Sequence, residues 1–312
     1  MVERFYRALY RIRRVEEEIA AVYPTDRIKS PVHLSIGQEA VSVGVCEALR
    51  QDDVVFGSYR SHALYLAKGG DLKKMIAELY GKVDGCAKGK GGSMHLVDVQ
   101  AHVMGASAVV GTTIAQAVGF AYALKLRRKD SVVISFFGDG AVDEGVFHES
   151  LNFAALKSLP IVFICENNFY AIHTHQLLRQ KQANICERAR TYGMPAEQVP
   201  DNDALRIYEK VSEAVTRLRS GEPGPRFFEC LTYRLKEHVG PNDDFHLGYR
   251  TREEAKPWIE NDPIKRLGDQ LGPAQRHKIE TEVDAEIREA FAFAERSPFP
   301  EAAELYMDVF EA

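Results

Sequence analysis

Two short apolar runs separated by one helical segment constrain the fold of this chain more than any other feature. Residues 131–137 and 160–165 are uncharged and rich in β-branched and aromatic side chains, which is typical of strands buried on both faces. Residues 144–157, between them, are predicted to form a helix. A strand, a helix and a strand within about 35 residues make a βαβ unit, so the sequence predicts an α/β fold with a doubly wound, mostly parallel sheet flanked by helices.

The same alternation of elements continues on both sides of this unit. Residues 81–95 contain five glycines and are predicted to form a loop, as are residues 235–250. We expect one domain over residues 1–312, with a core at about 30–240 and a helical tail at about 251–312. Apolar periodicity predicts further helices at 3–21, 38–50, 71–80, 112–127, 203–219 and 273–296, and strands at 52–56 and 226–234.

Composition excludes several classes of partner. The formal net charge is −5, which argues against a nucleic-acid-binding protein because phosphates attract an excess of Lys and Arg. No apolar run approaches the roughly 20 residues that span a bilayer, so we expect no membrane association. The five cysteines are dispersed without a CxxC pair, which predicts reduced thiols in the cytoplasm and no zinc site.

Polar residues follow both predicted central strands. Gly138-Asp139-Gly140 ends the first strand, and Glu166-Asn167-Asn168 ends the second. Ligands of parallel α/β sheets bind at the carboxyl ends of the strands. A carboxylate, an amide oxygen and a backbone carbonyl are the hard ligands that Mg²⁺ accepts beside phosphate oxygens. These residues therefore predict a site for magnesium and a diphosphate.

Two familiar phosphate-binding motifs are excluded because required residues are absent. A dinucleotide-binding fingerprint beginning at Gly138 requires a third glycine at position 143, where the chain has Asp143. A Walker A loop around Gly89 and Lys90 requires glycine at 84 and Ser or Thr at 91, where the chain has Asp84 and Gly91. The glycine-rich loop is thus not predicted to bind a nucleotide.

The motif Gly138-Asp139-Gly140, followed by the 26 residues 141–166 and by Asn167-Asn168, resembles the thiamine-diphosphate motif. Other segments, in the same order as in the family, resemble the α subunit of two-component 2-oxo acid dehydrogenases (E1), of the pyruvate dehydrogenase and acetoin dehydrogenase type. These segments are 85–95, His33 with Gly37-Gln38-Glu39-Ala40, Tyr59-Arg60-Ser61-His62, and Thr232-Tyr233-Arg234 with His238.

The resemblance implies a fold, two cofactors and a set of site residues. The fold is the diphosphate-binding half of the thiamine-diphosphate fold, and the cofactors are thiamine diphosphate and Mg²⁺. The implied metal ligands are Asp139, Asn168 and the carbonyl of Tyr170. The implied cofactor-binding residues are Tyr59, Arg60, Ala108, Val110, Gly138, Asp139, Gly140, Ala141, Asn168, Tyr170, Ala171 and His238.

The resemblance also implies a reaction and its partners. His238 is expected above the thiazolium ring, where it would transfer protons near neutral pH, with His33 and His62 on the substrate side. A small 2-oxo acid such as pyruvate loses CO₂, or acetoin is cleaved, and the acyl unit passes to a lipoyl group on an E2 protein. A β subunit is expected to supply the glutamate that faces the aminopyrimidine, in an α₂β₂ heterotetramer with the cofactor between α and β.

Two other hypotheses remain open from the sequence. One is half of a split carboligase, similar to transketolase, that uses the same cofactor without lipoyl transfer. The other is a scaffold subunit that serves its β partner without catalysis. Within the family resemblance, Val239 follows His238 where mitochondrial members have a phosphorylatable serine, and the unusual 238–248 loop leaves the substrate undetermined.

Overall fold

The computed structural model describes residues 1–307, and its centre is a parallel β-sheet. The strands are β1 Val54–Ser58, β2 Val103–Ser107, β3 Val133–Gly138, β4 Ile161–Asn167, β5 Tyr170–Ala171, β6 Thr174–His175, β7 Ala196–Val199 and β8 Arg226–Leu231. The order across the sheet is β2-β1-β3-β4-β8-β7, and every neighbouring pair is parallel. β5 and β6 form a small antiparallel hairpin. The predicted parallel α/β fold is confirmed.

Helices cover both faces of this sheet. They are α1 Val2–Val22, α2 Glu39–Cys46, α3 His62–Ala67, α4 Leu72–Leu79, α5 Thr112–Leu126, α6 Gly145–Leu156, α7 Gln176–Arg179, α8 Cys186–Arg190, α9 Ala204–Arg219, α10 Arg252–Glu260, α11 Pro263–Gly268 and α12 Pro273–Arg296. Within residues 1–307, none of them is long and apolar enough to cross a membrane.

The central strands bury alternate side chains in two hydrophobic clusters. In β3, Ile134 and Phe136 join the cluster formed with α1, α2, α4, α9 and α12, whereas Val133 and Phe137 join the cluster formed with α5, α6 and α8. Both faces are therefore covered, which explains why the sequence of each central strand is an apolar run rather than an alternating pattern.

The elements that periodicity did not predict are short or polar. β2 contains a glycine and lies at one edge of the sheet, and β7 has the sequence AEQV at the other edge. The α3 helix and the β5–β6 hairpin lie within segments for which the sequence predicts no regular structure. Edge strands are covered on fewer sides than central ones, so their sequences carry a weaker apolar signal.

The predicted C-terminal helical region packs against the body of the protein. Ile279, Val283 and Ile287 of α12 are buried in the same cluster as Leu9 and Ile12 of α1. Ion pairs between the two helices, such as Arg11 with Glu286, flank this contact. Residues 308–312 of the predicted tail lie outside the described residues.

The glycine-rich loop 81–95 surrounds a buried carboxylate from α4. Glu78 Oε2 accepts hydrogen bonds from the backbone N–H groups of Ala87 at 2.8 Å and Gly89 at 2.9 Å. Its Oε1 accepts from Gly91 at 2.7 Å and Gly92 at 3.0 Å. The loop therefore directs its amides at the protein's own anion, in agreement with the exclusion of a nucleotide-binding loop.

We expect the substitution Glu78→Gln to lower the free energy of unfolding by about 3 kcal/mol, because one carbonyl oxygen cannot satisfy four partly buried donors and the new NH₂ group faces N–H groups. The measurement is the urea unfolding midpoint at an unchanged slope. Glu289→Gln, at an exposed ion pair with Lys73, is the control and should leave the unfolding midpoint nearly unchanged. Equal stability of both variants would contradict the importance of the Glu78 carboxylate.

Candidate functional site

A cleft opens at the carboxyl ends of β1, β3 and β4. Its cavity volume is about 220 Å³. Residues from the ends of neighbouring strands line it because parallel pairing places those ends at one edge of the sheet. The lining residues used below are Gln38, Tyr59, Arg60, Val110, Gly138, Asp139, Gly140, Ala141, Glu166, Asn168, Tyr170 and Ala171.

The three predicted metal-ligating residues lie together in this cleft. Asp139 follows β3 directly and is 1% exposed, and Asn168 follows β4. The Oδ1 atom of Asn168 accepts a hydrogen bond from the backbone N–H of Tyr170 at 3.1 Å, which folds the chain back towards the strand end. Oxygen donors of three kinds are thus brought to one place.

Two side chains that the sequence interpretation did not select support these residues. Gln38 Oε1 accepts a hydrogen bond from Asn168 Nδ2 at 2.9 Å, so the amide oxygen of Asn168 is oriented away from Gln38. Arg179, at the end of α7, forms ion pairs with the carboxylates of both Asp139 and Asp143. Gln38 belongs to a motif quoted above, but no local pattern marks Arg179, which lies 40 residues from Asp139.

Burial raises the pKa of Asp139 to about 6, although the guanidinium of Arg179 opposes this effect. Glu166 is also buried and lines the cleft, and burial raises the pKa of this carboxyl to about 7 against the attraction of Arg60. Sequence reasoning placed Glu166 at a strand end without assigning it a role. The cleft therefore contains two carboxyl groups whose ionised forms need a cation nearby.

Arg60 supplies positive charge to the same cleft. Its guanidinium donates to the carbonyls of Leu34 at 2.6 Å and His238 at 3.1 Å and lies over the ring of Tyr59. Among residues 1–307, no carboxylate pairs with it within 4.0 Å. Burial lowers the pKa of Arg60 to about 10, so it remains a cation at neutral pH. A buried cation with only neutral partners is suited to an anionic ligand.

The remaining predicted cofactor contacts are mostly in the cleft. Gly138, Gly140 and Ala141 line it, and a Cβ atom on Gly140 would meet the Cβ of Ala171 at 2.9 Å, so glycine is needed there. Val110 lines the cleft and is 41% exposed. Ala108 is not among the lining residues, although its neighbours at 107 and 109 are.

His33 and His238 lie beside the cleft and contact Tyr59, which lines it. The ring centroids of His33 and His238 are 5.1 Å apart, and those of His33 and Tyr59 are 4.5 Å apart. Burial, together with the charge of Arg60, lowers the pKa of His238 to about 2 and that of His33 to about 3. Both rings are therefore neutral in this state of the protein, and the role of His238 in proton transfer stays a prediction.

His62 is not brought to the cleft. It is completely buried, with Nδ1 3.0 Å from Glu16 Oε2 and Nε2 2.8 Å from Ser93 Oγ. Ser35 donates its backbone N–H to the other oxygen of Glu16 at 2.8 Å. The histidine thus connects α1 to the glycine-rich loop, and this placement gives no support to its predicted position on the substrate side.

The 238–248 loop is held by a buried ion cluster. Arg250 Nε donates to Asp244 Oδ1 at 2.7 Å, and Arg234 Nη1 donates to Asp244 Oδ2 at 3.2 Å. Arg234 also donates to the carbonyl of Ile172 at 3.3 Å, and Ile172 lines the cleft. The unusual sequence of this loop is therefore compatible with an ordered position next to the cleft.

The donor chemistry of the cleft fits a magnesium diphosphate. Its carboxylate, amide and carbonyl oxygens match the preference of Mg²⁺, and its buried guanidinium matches a phosphate. No cluster of three or more His, Cys, Asp or Glu residues in the described part of the chain has the arrangement of a metal site. The predicted ligands Asp139, Asn168 and Tyr170 include only one residue of these four types. The absence of such a cluster therefore does not argue against them.

Comparison with known proteins gives consistent results. Residues 7–303 match the family described as the dehydrogenase E1 component. The chain is 37% identical over 310 residues to the α subunit of an acetoin:2,6-dichlorophenolindophenol oxidoreductase from Bacillus subtilis, covering 98% of this chain and 92% of that protein. It is 38% identical over 312 residues to a pyruvate dehydrogenase E1 component α subunit from Rhizobium meliloti, covering 97% and 88% of the two chains.

The neutral histidines make stability depend on pH. Below pH 6.5 the unfolded chain binds a proton at His33 that the folded chain does not bind until about pH 3, so stability is lost as the pH falls. Between pH 7 and pH 5 we expect the free energy of unfolding to fall by about 2 kcal/mol more in the wild type than in His33→Gln, which lacks this titrating group. The measurement is urea unfolding at each pH, with exposed His277→Gln as control; parallel pH curves for wild type and His33→Gln would refute the burial argument.

Proposed function

The chain belongs to the dehydrogenase E1 component family and is an E1 α subunit, and from that premise we propose the metal, the substrate class and the assembly of its site. Family membership implies thiamine diphosphate as the cofactor and a β subunit as the partner. Beyond this, we propose that the protein acts on a small 2-oxo acid similar to pyruvate, or on acetoin, in an α₂β₂ heterotetramer that passes the acyl unit to a lipoyl E2 protein.

The proposed metal is Mg²⁺, held by Asp139, Asn168 and the backbone carbonyl of Tyr170. The observation that carries this proposal is the meeting of these residues in one cleft that the buried cation Arg60 also lines. Mg²⁺ completes its six ligands with oxygens of the diphosphate and water. Among the three ligands proposed from this chain, only the carboxylate of Asp139 is charged, so it should dominate the affinity for the metal.

The diphosphate is proposed to lie between the metal and Arg60. Tyr59 and Arg60 follow β1 and would bind its oxygens, while Gly140 and Ala141 allow it to approach the backbone after β3. A bidentate guanidinium is well suited to phosphate oxygens. The interaction also explains how a buried arginine with neutral partners is accommodated in the assembled enzyme.

When it is bound, thiamine diphosphate supplies the nucleophilic carbon and the electron sink needed to cleave the bond beside a ketone. The chain's own residues orient the ligand and bind charge. Val110 is proposed to support the bent coenzyme, and the β subunit to contribute the glutamate facing the aminopyrimidine. His238 and His33 act as neutral hydrogen-bonding groups beside the cleft, because burial keeps both rings uncharged.

The activity is tested with this chain co-purified with its β subunit. Ferricyanide reduction is measured with pyruvate, with branched 2-oxo acids and with acetoin, each in the presence of thiamine diphosphate and Mg²⁺. Substrate-dependent reduction is expected with pyruvate or acetoin. Ligated aldehyde products without oxidant coupling would instead indicate a carboligase, and a complex that does not bind the cofactor would indicate a scaffold.

We expect Asp139→Asn to weaken Mg²⁺-dependent binding of thiamine diphosphate at least 100-fold, because the amide removes the only charged metal ligand contributed by this chain. Calorimetric titration of the αβ complex with the coenzyme, with and without Mg²⁺, measures this effect. Asp130→Asn removes a carboxylate that is 69% exposed and pairs with Arg50, and it should bind like the wild type. An unchanged affinity in Asp139→Asn would reject the metal assignment.

A further inference from the structure

Arg179 makes contacts that the proposed function leaves without a role. Its guanidinium pairs through one terminal nitrogen with Oδ2 of Asp139 and through the other with Oδ2 of Asp143. Its Nε atom donates to the carbonyl of Thr174 at 3.2 Å. Every nitrogen of the guanidinium is therefore engaged, and the side chain is only 14% exposed.

The segment that carries Arg179 is attached to both sides of the candidate metal site. Gln180 donates from Nε2 to the backbone carbonyl of Asp139 at 3.1 Å, so two consecutive residues hold the same aspartate by its side chain and its main chain. Through the β5–β6 hairpin, Tyr170 pairs with His175 just before α7. A second candidate ligand is thus connected to the same segment.

Buried amides continue this attachment into the sheet. Gln176 Oε1 accepts from Asn167 Nδ2 at 3.0 Å, and Gln176 Nε2 donates to Gln180 Oε1 at 3.0 Å. Asn167 also donates to the buried carboxylate of Glu229 on β8 at 2.7 Å. Residues 174–180, which we call the clasp, therefore connect the end of β3 to the end of β4 through the buried amides of Gln176 and Gln180 and the largely buried Arg179.

We infer that Arg179 is a positioning residue for the metal site: by bonding one carboxylate oxygen of Asp139 together with Asp143, it fixes the rotation of the Asp139 carboxylate and leaves the other oxygen for the divalent cation. This inference rests on the proposed function, because the cation is the one proposed at Asp139. Groups that hydrogen-bond a metal-binding carboxylate fix its orientation, and their loss weakens metal binding about 10- to 100-fold.

A different role for the same arginine predicts the opposite result. If Arg179 only replaced the cation as a counter-charge for Asp139, its removal would strengthen metal binding, since two cations repel each other. The contacts favour positioning, because leaving Asp139 would also disturb the bonds of Arg179 to Asp143 and Thr174. Lysine carries the same charge but cannot bridge two carboxylates as a planar fork does.

The test measures the Mg²⁺ affinity of the αβ complex after removal of metal with a chelator. At a fixed, saturating concentration of thiamine diphosphate, we expect Arg179→Gln to weaken the apparent affinity for Mg²⁺ about 10- to 100-fold. At saturating Mg²⁺ its kcat should return to within about twofold of the wild type, since the arginine does not touch substrate. Arg179→Lys should restore less than half of the lost Mg²⁺ affinity, measured as the change in log Kd.

Arg190→Gln is the matched control, because Arg190 is a nearby arginine whose exposed side chain pairs with Glu187 on the same helix. It should bind Mg²⁺ like the wild type. Hydrogen exchange of residues 174–183, followed by mass spectrometry, should show faster exchange in Arg179→Gln than in Arg190→Gln. This readout reports the clasp directly and does not require activity.

Several outcomes would overturn the inference. Unchanged or tighter Mg²⁺ binding in Arg179→Gln, or full recovery in Arg179→Lys, would show that the fixed geometry is unimportant. Unaltered exchange of residues 174–183 would show that the arginine does not hold the clasp. If the wild-type complex itself showed no Mg²⁺-dependent coenzyme binding, the proposed function would fail, which is distinguishable because that result does not depend on any variant.

Discussion

The parallel pairing of β3 with β4 is the contact on which the site depends. Gly138 pairs with Glu166 in this register, so Asp139, directly after β3, comes next to Asn167, the last residue of β4, and Asn168 follows directly. The apolar runs that form these strands are buried on both faces, and a slip of one residue would move every side chain to the opposite face. Hydrophobic burial therefore fixes the distance between two oxygen donors that do not contribute to the core.

Charge inside the cleft is distributed unevenly, and this distribution is suited to the proposed ligand. Asp139 is paired with Arg179, while Glu166 lies buried in a position where its ionised form is disfavoured. Arg60 has neutral hydrogen-bond partners, and burial together with the charge of Arg60 keeps His33 and His238 uncharged. A ligand that carries both a divalent cation and phosphate groups can complement the carboxylate and the guanidinium at once, which neither a simple anion nor a simple cation can do.

The parts of this arrangement that sequence predicts are those encoded by local pattern. The central strands and long helices were predicted within a few residues, because burial on both faces and helical periodicity are visible over short windows. Edge strands β2 and β7 escape prediction because both are short, β2 contains a glycine and β7 is largely polar. Gln38 and Arg179 reach the site from 130 and 40 residues away, so no spacing rule could place them. The neutrality of His238 depends on burial and on Arg60, which the sequence shows only as separate residues.

Glycine content alone does not identify the loop that meets the phosphate. Residues 85–92 form a ring of backbone N–H groups of the kind that binds anions, yet Glu78 already fills that ring with a carboxylate of the same chain. The turn after β3 has fewer glycines, but Gly140 keeps its backbone open towards the cleft, where the buried cation Arg60 donates to two backbone carbonyls. What separates a structural glycine loop from a ligand-binding one is therefore the presence of an internal partner. Where an internal carboxylate satisfies the amides, the loop serves the fold. Where a buried cation lines a cleft with neutral hydrogen-bond partners, the site is suited to an anion from outside.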